Sequence, residues 1–308
     1  MRSVCVLIGF FVILSVHPVF LCAEESEAAS KGMGLTAEPG GMLVQYVPLG
    51  ETYDFTKEVG IPLTIYNRDD QEHTYLLTTS KPSEGGSRKW LEGYLEIPDP
   101  SWVWFEQKEV TVPANSSSKV NLFLKIPDEE KYYNQHWAVS LGVSGKPGAG
   151  QMLALALRPR IEIETLSKEE VTGHPSGVLA TVPSALLFED APVGKKVKGT
   201  LTIYNNDGDK YKYKITPKVF LKDATKRQIY PSPKFSWIPN TNWIQPEKRK
   251  IKIGSRESKE LAVEVEIPED NKHYGKNWEA ILWIEPKTGL PAFARIQIQT
   301  QEQKNREA

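Results

Sequence analysis

Four histidines lie beyond the N-terminal segment, at His73, His136, His174 and His273. A catalytic zinc ion needs three or four clustered ligands, and these side chains are scattered through a stretch that contains no cysteine. They read as solvated histidines, with no metal expected. Asp69-Asp70 and Asp207-Gly208-Asp209 carry the hard oxygen ligands that calcium prefers, but the loops are too short, and a hairpin turn accounts for the same residues. Asp128-Glu129 and Glu269-Asp270 each follow an Ile-Pro pair and read as acids at the start of a turn or short helical segment. Gly145 to Gly150 has the glycine content of a phosphate loop without its closing Lys-Ser or Lys-Thr, and reads as a hairpin. No nucleophile elbow or dinucleotide-binding glycine pattern is present. The chain therefore reads as non-enzymatic, with no cofactor.

The eight tryptophans are more informative. Trp102 and Trp243, and Trp137 and Trp278, occupy matching places in an internal repeat and read as core rings. Trp90, Trp104, Trp237 and Trp283 have no counterpart, which makes them the candidate contacts for a partner protein or a glycan. Trp283 alternates with Leu282 and Ile284, so it points away from the core face of its strand and reads as exposed. Packing between domains is the other use for these rings. Trp90 follows Gly85-Gly86-Ser87-Arg88-Lys89, a loop by composition, and is the leading contact candidate.

The elements that position these rings come from the repeat. Leu63-Thr64-Ile65-Tyr66-Asn67 recurs as Leu201-Thr202-Ile203-Tyr204-Asn205. Ile97-Pro98, followed by Trp102, recurs at a shift of 141 as Ile238-Pro239, followed by Trp243. Ile126-Pro127, Tyr133 and Trp137 recur at the same shift as Ile267-Pro268, Tyr274 and Trp278, and Arg160-Ile161 and Arg295-Ile296 close the copies. Val120, Leu122, Leu124 and Ile126 alternate with Asn121, Phe123 and Lys125, the period of a half-buried strand. Leu261, Val263, Val265 and Ile267 repeat it. Asn206-Asp207-Gly208-Asp209 has the chemistry of a hairpin turn. Many short strands and no long amphipathic helix predict an all-β chain, with two tandem immunoglobulin-like β-sandwiches at 33–165 and 177–300. A polar linker spans 166–176 and a polar tail 301–308.

The N-terminal segment reads as an address. Arg2 precedes an apolar run from Val4 to Val16, and Leu21-Cys22-Ala23 precedes acidic residues, as in a secretory signal at 1–23, with a disordered leader at 24–32. Lipidation at Cys22 and retention as an anchor are the alternatives. Both cysteines of the chain, Cys5 and Cys22, fall in this segment, so disulfides do not staple the fold. No second apolar run reaches spanning length. The 38 basic and 39 acidic residues give a formal charge of −1, too balanced for a nucleic-acid binder. The densest basic stretch, Lys248-Arg249-Lys250 with Lys252, reads as a solvated strand face. Asn115-Ser116-Ser117 is an incidental glycosylation sequon.

The order of these blocks resembles the immunoglobulin-like sandwiches of bacterial exported proteins. It is similar to pilus-chaperone N-terminal domains, to major-sperm-protein-like domains, and to the peptidoglycan-binding domain of WxL-interacting surface proteins. The departures are clear: the tail from Gln299 to Ala308 is not the membrane anchor of the WxL-interacting proteins, and the two copies are more alike than the paired domains of pilus chaperones. The resemblance and the missing catalytic groups together imply a non-catalytic exported protein of the cell envelope, periplasmic, extracellular or at the cell surface. Its expected partner is an envelope or surface protein, bound through sandwich surfaces or a free strand edge. The alternative is cell-wall glycan, stacked on exposed aromatics.

Overall fold

The computed structural model describes residues 34–84, 92–146, 156–220 and 229–303. The signal-like segment, both cysteines, Trp90 and most of the glycine-rich hairpin lie outside the described residues. Within them, the chain forms two immunoglobulin-like β-sandwiches, each around its own apolar core. In the first, the larger sheet runs Gly41–Val47, Arg160–Thr165, His136–Gly145, His73–Ser80 and Glu109–Val112. It is faced by Leu35–Glu38, Leu63–Asn67 and Ser116–Val120, and by a second short sheet of Tyr53–Asp54, Leu122–Leu124 and Val103–Phe105. In the second sandwich the larger sheet runs Ala185–Ala191, Ala292–Thr300, Asn277–Pro286, Tyr211–Lys218 and Lys250–Ile253. Leu179–Val182, Lys196–Asn205, Glu257–Glu266 and Ile244–Pro246 form its smaller sheet.

Alternation explains both cores. Val120, Leu122, Leu124 and Ile126, and Leu261, Val263, Val265 and Ile267, are each 1% exposed or less. Their odd-numbered neighbours in the first copy, and the even-numbered ones in the second, turn outward. The first strand of each copy also serves both sheets. Leu35–Glu38 pairs with Leu63–Asn67, and beyond the cis Glu38–Pro39 bond Gly41–Val47 runs parallel to Arg160–Thr165. Leu179–Val182 and Ala185–Ala191 repeat this crossing around the cis Val182–Pro183 bond.

The turn at Asn206-Asp207-Gly208-Asp209 is not the expected hairpin. Lys196–Asn205 lies in the smaller sheet and Tyr211–Lys218 in the larger, so the chain arches between sheets. Turn residues signal a reversal without saying which sheet receives the chain. Asn205 fastens the arch, donating through Nδ2 to the carbonyls of Asp209 at 2.7 Å and Gly254 at 2.6 Å. Asn67 does the same in the first copy, reaching Gln71 at 2.7 Å and Val112 and Pro113 at 3.0 Å. Both asparagines are buried.

The two sandwiches stack through the outer faces of their larger sheets. A third apolar cluster joins Tyr94 and Ala138 of the first to Ile281, Trp283 and Phe293 of the second. All six residues of Arg160–Thr165 are consequently buried, and alternation vanishes where both faces of a strand are covered.

Each core is capped by three rings. Trp102, Tyr132 and Trp137 lie with centroids 5.0–5.7 Å apart, and Trp243, His273 and Trp278 4.9–5.5 Å apart. Trp137 is 1% exposed, while Trp102 and Trp243 are half-buried lids on the cores. Trp137→Ala is expected to cost about 3–5 kcal/mol in chemical denaturation, and Trp102→Ala or Trp243→Ala roughly half as much. Equal losses at Trp102 and Trp137 would contradict the lid assignment.

Candidate functional site

The most concentrated chemistry in the molecule lies between the sandwiches. Arg295, on the last strand of the second sandwich, is 2% exposed and makes four hydrogen bonds. Its Nε and Nη2 grip Glu164 of the first sandwich at 2.7 and 2.6 Å. Its Nη1 reaches Glu279 and, at 3.0 Å, the carbonyl of Tyr230. Tyr94 donates its hydroxyl to Glu164, and Gln45 donates to the same carboxylate at 3.0 Å. Gln297 holds Glu279 at 2.9 Å, Ser232 at 3.0 Å and the Tyr46 hydroxyl at 2.8 Å. Burial alone would raise the Glu164 carboxyl, but the charge and donors of Arg295 outweigh it and hold the group at about 2. Burial likewise opposes the Arg295 charge, and the facing carboxylates restore it above the ordinary arginine value. With both carboxylates and the guanidinium buried, this network positions one sandwich on the other.

His136 belongs to the same interface. Its ring stacks on Phe293 at 3.9 Å with an interplanar angle of 3°, and burial pushes its pKa down to about 4. Two of the four histidines expected to be solvated are therefore buried: His136, and His273 in the second core. His73 is half-buried and bonds Asp69 at 3.0 Å, and His174 is exposed. The carboxylates considered for calcium are used locally, Asp69 by His73 at 3.0 Å and Asp207 by the Tyr211 hydroxyl at 3.2 Å, and Asp270 caps the short helix Asn271–His273, as its place after Ile-Pro implied. Among the described residues, no three metal-ligating side chains cluster.

The unpaired tryptophans divide. Trp283 is 4% exposed and Trp237 half-buried, both in the apolar cluster between the sandwiches. Of the two uses read for Trp283, exposure to a partner is corrected and packing between domains holds: it points away from its own core, as alternation requires, and into the neighbouring sandwich. Trp104 is 37% exposed and stacked on Phe123 at 5.6 Å. Trp90 lies outside the described residues.

A second feature has an opening to solvent. Where the chain crosses sheets at Val182–Pro183, a groove of about 620 Å³ runs beside Ala185–Ala191. Leu186, Leu187 and Phe188 form one wall, and Lys198, Thr200 and Tyr204 of the smaller sheet form part of the other. Gly199 sits between them. A Cβ there would stand 3.0 Å from Phe188 Cζ, so glycine admits the close approach of the two strands. Ala185–Ala191 is the end strand of its sheet, and its second edge pairs with no other strand among the described residues. Leu187 is 46% exposed. Its counterpart by register in the first copy, Leu43, packs into the cluster between the sandwiches. These residues carry no motif, and the sole sequence signal was Gly199 inside an otherwise alternating strand.

No family model matches the sequence, and no curated protein matches it. Among solved structures, the chain is similar to a protein of unknown function from Porphyromonas gingivalis W83, with 13% identity over 87% of this chain and all of that one, at a TM-score of 0.32. It is similar to the E. coli chaperone DraB, with 10% identity over 87% of this chain and 98% of that one, at a TM-score of 0.30. A C. elegans MSP family member shows 6% identity over 41% of this chain and 99% of that one, at a TM-score of 0.26. These likenesses carry no argument about binding.

Two measurements test the interface. His136 binds its proton less readily when folded than the ordinary histidine near 6.5, so its contribution is present above that pH and is lost as pH falls toward 4. Glu164 adds a second loss, from the ordinary carboxylate range down to about 2. Urea denaturation should show stability declining by about 3 kcal/mol between pH 7 and 4, and His136→Phe should flatten that window. Glu164→Ala leaves Arg295 without its main partner and is expected to cost about 3–5 kcal/mol at neutral pH; a smaller loss in the same assay would show the ion pair to be dispensable.

Proposed function

We propose that the chain is a non-catalytic, exported binding module whose partner is a protein that docks an extended segment along the free edge of Ala185–Ala191. The observation that carries this reading is the open strand edge beside the 620 Å³ groove, with Leu187 uncovered where Leu43 is covered. Beyond Ala185, whose amide and carbonyl the Ser167 hydroxyl already holds, an added strand would gain main-chain hydrogen bonds at the edge, and its alternate side chains would enter the groove beside Leu186 and Phe188. The bulge after Phe188, where the register shifts before Ala191, limits that edge to its first residues. Export rests on the signal-like segment at 1–23, and an envelope or surface protein is the partner this reading favours.

A second reading keeps one specific support. Trp104 on Phe123 is an aromatic platform at the surface of the first sandwich, and the second sandwich has Gln245 and Glu264 at the matching register. Such a platform suits sugar stacking, so wall glycan is the alternative ligand.

A photo-cross-linking residue at position 187 separates the two in cells. Under the first reading it captures one envelope protein through a segment of alternating side chains, and Leu187→Lys abolishes capture by a probe at position 186 without lowering the Tm. A probe at position 104 that captures glycan, with position 187 silent, would replace the first reading with the second.

A further inference from the structure

The outer face of the second sandwich carries a charge pattern that its fold does not need. Register places Lys212 directly opposite Lys252, and Lys214 opposite Lys250. Period two turns all four to the same exposed face. Lys287 joins Lys212, Lys214 and Lys250 around a shallow groove of about 410 Å³, where Glu285 is the acidic member. Five lysines thus face one glutamate, and none of the five is in an ion pair among the described residues. Like charges directly opposite on paired strands are destabilising.

The first sandwich is the control. Its matching positions hold Thr74, Leu76, Glu109, Thr111, Ser144 and Lys146. There the cross-strand partners are satisfied, with the Thr74 and Thr111 hydroxyls bonded at 2.9 Å and Lys146 paired with Glu109 at 3.2 Å. The same strands in the same fold are therefore built without opposed lysines, and the excess positive charge in the second copy calls for a ligand.

We propose that this face binds a linear polymer bearing repeated phosphate groups. Lysine meets phosphate oxygens as compact point charges one at a time, while arginine's planar fork grips phosphate and carboxylate alike in pairs, and the face holds no arginine. The one aromatic residue lining the groove, Tyr213, is 2% exposed, so bases and sugar rings have nothing to stack on. No exposed large apolar side chain lines it to enter a bilayer. The two opposed lysine pairs root in two rows, with Cβ atoms roughly 5 Å apart across the strands and about 7 Å along them. A single phosphate spans at most one pair, and a chain of phosphates spans both.

Inorganic polyphosphate is the probe, titrated into the full chain at about 50 mM salt and upward. Binding is expected to weaken with a log–log salt slope of about −3, as for four released counterions on a single strand. Lys212→Thr/Lys250→Glu/Lys252→Thr, which installs the residues of the first sandwich, should reduce affinity about tenfold or more while the Tm holds or rises. If that variant fails to fold, Lys212→Gln/Lys252→Gln makes the same comparison. Lys57→Thr/Lys146→Glu/Lys272→Thr changes the net charge equally at ion-paired sites elsewhere and should leave affinity unchanged. An equal loss in this control, no binding of polyphosphate, orthophosphate competing as well as the polymer, or binding to phosphatidylglycerol vesicles without polyphosphate would each overturn the proposal.

Discussion

The arrangement of the molecule depends on one guanidinium. Arg295 leaves water for a position between two β-sheets, and such a transfer is tolerable only when its charge is matched and its donors are engaged. Glu164 supplies that match from the other sandwich, and Glu279 from the neighbouring strand. The apolar rings around them, Tyr94, Phe293 and Trp283, exclude water and so strengthen the electrostatics they surround. Apolar contact alone tolerates sliding. A guanidinium gripping a carboxylate through two of its nitrogens does not, and this sets the sandwiches in one register.

The segment between the sandwiches is organised to the same end. Asn134, in the left-handed conformation with φ of 61°, accepts through one oxygen from Ser184, Lys168 and the Ser167 hydroxyl, and donates to the Lys168 carbonyl at 2.9 Å. A side chain of the first sandwich thus holds both the linker and the entry to the second. Lys168 adds an ion pair with Glu130, whose carboxylate this pairing and the Thr172 donors lower to about 2. The polar composition of 166–176 does not distinguish a tether from a clamp.

What could be read from the sequence follows the distance over which each rule acts. Period-two alternation is local, and it located both cores and the inward face of Val120 to Ile126. The repeat is a comparison of the chain with itself, and it matched the tryptophan lids. Contacts between strands far apart were not visible, because nothing in linear order says that Lys212 will face Lys252 or that Trp283 will meet Phe293. The stretch around Lys250 read as a solvated strand face and is exposed, but its opposition to Lys212 and Lys214 was not legible, and the turn at Asn206 read as a hairpin. The residues that differ between the copies proved most informative once the register was known: Glu164, Glu279, His136 and Tyr94 build the interface, and Ala138, the counterpart of Glu279, enters it with an apolar side chain instead.

The pairing of the terminal strands fixes how each sandwich would respond to tension. In each sandwich the crossing strand runs parallel to the last strand, so that the entering and leaving ends of the chain are neighbours in one ladder. Tension applied through those ends acts along the strands and in opposite directions on the two. The ladder hydrogen bonds are then sheared together instead of being peeled open one at a time, and each sandwich resists extension with the whole length of its terminal pair.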